Sequence, residues 1–327
     1  MRLRRAPAFS GSNGSSPSKC VVTSGQVVSI VGFALSRIAF SLCLLCFVPL
    51  CSAPPCSADD SSARTVASLE DLRGAPGAIA RYLGDPDPAV RARAVVALGR
   101  IQDTSSVEEV AEIVGDSSPD VRASVAFALG QIGARACLKP LVKLLSDEVP
   151  DVRLAAAEGL GKVRGRDAVR PLARLLGSRD TSLARQAALS LALIADSTAL
   201  PALWKAADSK DPELRWRVAY ALETIPHAKS LGPLLRFCGE ESWVVRNFTA
   251  RALGKIQGEG SAALLRKLLK DPDWHVRVNA ARALGQFGSP ESGLNRSESA
   301  SLLHQLLSDR SVHVRAAVCE ALARLAD

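Results

Sequence analysis

One string of residues returns at a fixed interval through most of the chain, and that regularity constrains the fold more tightly than any local preference. PDPAVRARAVVALGRI, starting at Pro86, reappears as SSPDVRASVAFALGQI from Ser117, EVPDVRLAAAEGLGKV from Glu148 and PDWHVRVNAARALGQF from Pro272, each copy following an aspartate. Taking the first Val or Leu of the shared pattern as position 0, the copies stand at Val90, Val121, Val152, Leu183, Leu214, Val245, Val276 and Val314; the first seven are 31 residues apart and the last gap is 38. Small or apolar residues follow at +4, +5 and +7 in most copies and Leu follows at +8, which places them on one face of a helix. Upstream, apolar residues at −11, −8 and −7, such as Leu141, Leu144 and Leu145, mark a second helix. Each unit is therefore a helical hairpin.

A hairpin of this size cannot bury its apolar face by itself, so neighbouring units must stack. The predicted fold is all-α: an α-α superhelix, or solenoid, of about eight hairpins over residues 68–327, entered by a linker over 59–67. Pro88, Pro119, Pro150 and Pro212, two residues before their anchors, suit a first helical turn, where a missing N–H costs nothing. The extra residues of the last gap fall around SPESGLNRSE, from Ser289, which reads as a polar surface loop. Alanine at many inward positions explains how a chain with 4% aromatic residues can still build a core.

The ordered Asp, Pro, Val-Arg, paired alanines and Ala-Leu-Gly of these copies resemble HEAT repeats, in particular the short subclass named for phycobilin lyases. The resemblance implies the solenoid fold. It says little about activity, because such stacks serve as scaffolds, adaptors, inhibitors and occasionally enzymes.

Residues 1–58 are of a different kind. They hold no Asp or Glu and five of the eight cysteines, and the thirteen residues IAFSLCLLCFVPL from Ile38 follow Arg37 and precede Cys56-Ser57-Ala58. This is the layout of a signal peptide cut after Ala58, which predicts an exported body. A membrane anchor is the weaker reading, because Arg37 interrupts the apolar stretch, and membrane contact is expected only through an uncleaved leader. Five of the 41 Lys and Arg lie in this segment, so the formal +8 shrinks to 36 basic against 33 acidic residues in the body. Three cysteines at distant spacings, Cys137, Cys238 and Cys319, fit small packed hydrophobes better than a disulfide framework or a zinc site.

Charge along the repeats forms a ladder. Arg stands at +1 as Arg91, Arg122, Arg153, Arg215, Arg246, Arg277 and Arg315, with Ala184 as the exception, and Asp stands at −5 as Asp85, Asp116, Asp147, Asp271 and Asp309. Stacking sets these opposite charges side by side, so the row reads as structural and not as a phosphate-binding stripe; nucleic acid is not an expected partner. No His-Glu pair of the kind that binds iron in HEAT-like hydroxylases is present, and His227, His275, His304 and His313 suggest no ligand set, although His275 and His313 occupy the same place in adjacent units. No catalytic residue, cofactor or metal is predicted.

Aromatic residues are the informative departure. Eight of the ten in the body lie between Trp204 and Phe287, where Trp243 and Trp274 also replace the recurrent proline. Phe237 and Phe287 fall at regular core positions, whereas Trp216, Arg217, Tyr220, Asn247, Phe248, Arg251, Asn279 and Arg282 fall at +2, +3 and +6, away from the apolar face and, in HEAT stacks, on the concave side. Trp, Tyr and Arg together are the composition of binding hot spots. The sequence thus predicts a non-enzymatic interaction module or scaffold that binds a protein or peptide at units five to seven, with Trp216 and Tyr220 as apolar anchors and Arg217, Arg251 and Arg282 pairing with acidic groups of the partner. The alternative is a cytoplasmic, lyase-like or oxidoreductase-like HEAT enzyme or chromophore-protein accessory.

Overall fold

The computed structural model describes residues 64–68, 76–287 and 294–326, all within a unit that clusters over Ser57–Asp327. The leader and residues 289–293 of the expected loop lie outside the described residues; in the rest of that stretch Leu294 is buried and residues 296–298 already belong to a helix. Helix α1 (64–68) falls in the stretch expected to be a linker, and its Val66 is fully buried, so the helical body begins earlier than the repeat pattern implies.

Short first helices alternate with longer second helices. The first helices are α2 (Pro76–Ala80), α4 (Val107–Glu112), α6 (Leu138–Leu144), α8 (Val169–Leu175), α10 (Leu200–Ala206), α12 (Leu231–Phe237), α14 (Glu259–Leu268) and α16 (Arg296–His304). The second helices are α3 (Pro88–Ile101), α5 (Pro119–Ile132), α7 (Pro150–Val163), α9 (Thr181–Ile194), α11 (Pro212–Thr224), α13 (Trp243–Ile256), α15 (Trp274–Leu284) and α17 (Val312–Ala326). We number the hairpins α2–α3 to α16–α17 as units 1 to 8. Among the described residues there is no strand, and no helix is long and apolar enough to cross a membrane.

Local chemistry sets the helix ends. Pro88, Pro119, Pro150 and Pro212 open their helices, and the Asp87, Asp180, Asp211 and Asp273 carboxylates accept backbone N–H groups of the first turn. Gln102, Gly133, Arg164 and Ala195 end α3, α5, α7 and α9 in the left-handed conformation, at φ 61°, 71°, 56° and 56°. An alanine gains nothing there, because its Cβ is strained and its side chain bonds to nothing. Ala195→Gly is therefore expected to stabilise the protein by about 1 kcal/mol, seen as a rise in thermal midpoint; an unchanged or lower midpoint would refute the strain.

Each second helix packs on the second helix of the next unit, with the Leu at +8 buried in units 1 to 7. The glycine at +9 makes this approach close. A Cβ added to Gly99 would lie 2.6 Å from Ala128 Cα, one on Gly130 would lie 2.6 Å from Gly159 Cα, and one on Gly161 would lie 2.9 Å from Ser190 Cα. Backbones meet where side chains would otherwise stand, and the alanine-rich core follows from that spacing.

The Arg ladder ties the inter-helix turns together. Each fork is bidentate in Arg91–Asp116, at 2.8 and 2.8 Å, Arg122–Asp147, at 2.7 and 2.9 Å, Arg246–Asp271, at 2.6 and 2.9 Å, and Arg277–Asp309, at 2.8 and 2.9 Å. The remaining nitrogen, Nη1, donates to the carbonyl at −5 of its own turn in all four. In the middle of the stack the register changes. Ser178 and Ser209 replace the −5 acids, so Arg153 reaches Asp180 at 3.5 Å, and Arg185, not Ala184, takes Asp211 at 2.7 and 2.9 Å. Arg215 then pairs with Glu240 at 2.8 Å. At the ends, Arg315 donates to the Asp309 carbonyl, and Asp85 accepts the Asp87 N–H in place of an arginine of a neighbouring unit.

The ladder arginines hold Asp116, Asp147 and Asp211 below the ordinary carboxylate range. A depressed folded pKa contributes stability that is complete above the unfolded value, near pH ~4, and is lost as the pH falls through the folded value. The thermal midpoint should accordingly hold steady from neutral pH to about pH 5 and fall progressively below about pH 4. A midpoint that rose on acidification would contradict the ladder.

The cysteines divide by place in the stack. Cys137 and Cys238 are buried, and burial pushes the Cys238 thiol up to about 11. Cys319, expected to be buried because it stands at +5, is exposed. The +5 positions of the earlier units, from Val95 to Ala281, are buried. Helix α17 is the last second helix described, so its +5 face has no described neighbour against it. A thiol reagent added to folded protein should label Cys319 and spare Cys137 and Cys238, as peptide mapping would show.

Candidate functional site

The residues at +2, +3 and +6 of α11, α13 and α15 come together across adjacent units, as the spacing requires. Trp216 stacks on Phe248 with centroids 6.4 Å apart and planes 17° apart, and Tyr220 meets the same ring at 5.2 Å, tilted by 55°. Arg217 lies over Trp216 at 4.2 Å and Arg251 over Phe248 at 5.5 Å. All three rings are partly buried, packed by one side against the core. Further along, Asn279 donates to Asn247 at 2.7 Å, joining α15 to α13.

The charges here differ from expectation. Arg217 is bound to Glu213, four residues back, at 2.7 Å, and Trp216 Nε1 donates to the same carboxylate at 2.9 Å. That pair holds Glu213 below its usual pKa, first through Arg217 and then through Trp216. Arg251 and Lys255 share Glu223, and Arg282 meets Glu320 of unit 8 at 3.3 Å. The three arginines expected to be offered to a partner are thus neutralised within the chain.

Glu223 is the residue that sequence reasoning missed. It stands at +9 of α11, where five of the other units carry glycine, and only 3% of it is exposed. Its carboxylate takes both Arg251 and Lys255 of the next unit, and Lys255 also donates to its carbonyl at 2.8 Å. A buried carboxylate is stable only when paired this way, so Glu223 anchors α13 and holds Arg251 against Phe248. The signal was a lone acid in a column of glycines.

A second aromatic feature occupies the turns of units 6 to 8. Trp243 stacks on His275 at 4.5 Å, His275 on Trp274 at 3.6 Å and Trp274 on His313 at 4.6 Å, the planes lying within 27° of parallel. His275 and His313, whose equivalent positions suggested a mutual approach, are separated by the Trp274 ring. Asp273 holds His275 Nδ1 at 3.0 Å. Trp243 and Trp274 are exposed by 40% and 36%. Among the described residues no group of three or more His, Cys, Asp or Glu side chains is placed to hold a metal ion.

None of the curated proteins matches the chain. Among solved structures, an engineered protein is 22% identical, with a TM-score of 0.56 over 81% of this chain and 82% of that one, which supports the fold alone. The complex of CpcE and CpcF of phycocyanin lyase from Nostoc sp. PCC7120 is 25% identical, with a TM-score of 0.44 over 67% and 94% of the two chains. Human deoxyhypusine hydroxylase is 20% identical, with a TM-score of 0.35 over 80% and 99%. The sequence profile of HEAT repeats matches residues 75–149, 107–192, 172–247 and 233–294, which together span 75–294. With stacked hairpins, a turn-to-turn arginine ladder and that match over more than half its length, the chain belongs to the HEAT-repeat family.

Proposed function

We propose that this HEAT stack is a non-enzymatic binding module, exported by its leader, that presents the second-helix face of units 5 to 7 to a protein or peptide. The observation that supports this most directly is the Trp216–Phe248–Tyr220 cluster, aromatic carbon only partly buried on the helices, with Arg217 and Arg251 already fixed against the rings. Rings and forks held in place lose little freedom on binding, which makes such a cluster suited to recognition. Since Arg217, Arg251 and Arg282 are paired within the chain, affinity would come mainly from the rings, and its dependence on salt should be weak.

A photo-crosslinking amino acid at position 216, compared with one at the exposed Lys143 of α6, tests the surface in the native compartment. Adducts formed from 216, absent from 143 and lost with Phe248→Ala, support the assignment; identical adducts from both positions refute it. The amino terminus of the protein recovered there is expected to be Asp59, and an intact leader would refute export by cleavage.

A further inference from the structure

A cleft of about 510 Å³ opens between units 4 and 5, lined among others by Arg174, Ser178, Ala184, Lys205, Ser209 and Asp211. It coincides with the break in the ladder. In every other unit the +1 position is an arginine whose Nη1 donates to the carbonyl at −5 of its own turn. In unit 4 that position is Ala184, and the acid or serine column opposite it supplies Ser209. Both members of the usual pair are replaced by small residues.

Arg185, one residue on, does not take over the whole role. Its fork is used on Asp211, and among the described residues no donor reaches the carbonyls of Ser178 and Arg179, the counterparts of the pair that accepts a guanidinium in units 1, 2, 3, 6 and 7. The stack therefore repeats one guanidinium niche along its length, and in this copy no guanidinium fills it among the described residues. Arg174 and Lys205, both exposed and without an ion-pair partner among the described residues, flank the same cleft. A ligand suited to this lining carries a guanidinium at one end and an anion at the other. The volume falls in the range of small-ligand sites.

We propose that the cleft binds arginine, free or at the carboxyl end of a peptide, its guanidinium on the turn carbonyls of unit 4 and its carboxylate on Arg174 and Lys205. Ser209 adds a hydroxyl, and Asp208 and Asp211 supply negative potential, although each already holds a chain arginine, Asp208 through Arg236 at 2.9 Å. This site is independent of the aromatic cluster, and neither assignment depends on the other.

Calorimetric titration of the full chain with L-arginine, N-acetyl-L-arginine, agmatine and L-citrulline tests it. L-Arginine is expected to bind, and citrulline, which has the same shape without the charge, to bind about tenfold more weakly or less. Agmatine, lacking the carboxylate, should also lose affinity. Equal binding of the acetylated compound would assign the site to chain ends as well as to the free amino acid, and its failure would restrict the site to the free form. Ala184→Arg restores the ladder arginine and should abolish arginine binding while the thermal midpoint stays level or rises; Ala184→Leu, which fills the cleft without charge, should abolish it too. No heat with the wild-type protein, or undiminished binding by either folded variant, overturns the proposal.

Discussion

Gly130→Leu is expected to split the stack between units 2 and 3. The Cβ of any residue at 130 would fall 2.6 Å from Gly159 Cα, so the clash is with backbone and cannot be relieved by a rotamer change. The two helices must separate, and the Leu129 and Leu160 layers beside them lose packing over their full length. Overpacking of this kind costs about 3 kcal/mol or more, against the fraction of a kcal/mol that leucine gains over glycine in helix propensity. Because a repeat array is a chain of nearest-neighbour couplings, the damage should be local. Hydrogen exchange is the suitable measurement: amides of α3 and α5 should exchange faster, while those of α15 and α17 stay protected. Gly232→Ala is the control, since nothing lies within 4 Å of a Cβ there, and it should stabilise by about 0.5 kcal/mol. Uniform destabilisation of the whole chain by Gly130→Leu, or none, would contradict the close-packed seam.

Asp271→Ala should have an effect of similar size for a different reason. Arg246 and Asp271 form the most enclosed rung, with side chains 11% and 4% exposed, and removing the acid leaves a guanidinium in a nearly dry site with the Glu240 and Glu241 carbonyls as its remaining partners. Breaking one member of a buried pair costs about 3 kcal/mol. The same substitution at Asp85, which accepts the Asp87 N–H and no ladder arginine among the described residues, should cost well under about 1 kcal/mol. Replacing Arg246 and Asp271 together by Met and Leu separates the two contributions: if the double variant recovers most of the loss, the cost lay in the unpaired charge. Equal losses at 85 and 271 would show that the acids act as turn formers and not as rungs.

The hairpins, the buried Leu column and the ladder in the outer units were legible because each rests on a short-range rule repeated many times. The ladder's change of register was not. Asp180 and Asp211 stand where an acid also serves as a helix cap, and both do cap, through Leu183 and Glu213. One residue does two jobs, and the pattern advertises only the local one. The aromatic cluster was legible as a set of residues, while the fate of its charges was split: the Arg217–Glu213 pair lies within one helix at i, i+4, but Glu223 with Arg251, and Arg282 with Glu320, depend on how far one hairpin is offset from the next. Cys319 failed for a related reason. A periodic position predicts burial only if another unit lies over it.

The register change also makes the couplings along the stack unequal. Outer rungs are two-point forks below 3 Å, whereas the rung between α7 and α9 is a single contact at 3.5 Å, followed by a unit whose own +1 arginine is missing. Considered as a spring, the protein has stiff coils on either side of one soft coil. Tension applied along the stack would be taken up first between units 3 and 4, because the Arg185–Asp211 fork, at 2.7 and 2.9 Å, holds unit 5 to unit 4 as tightly as an outer rung.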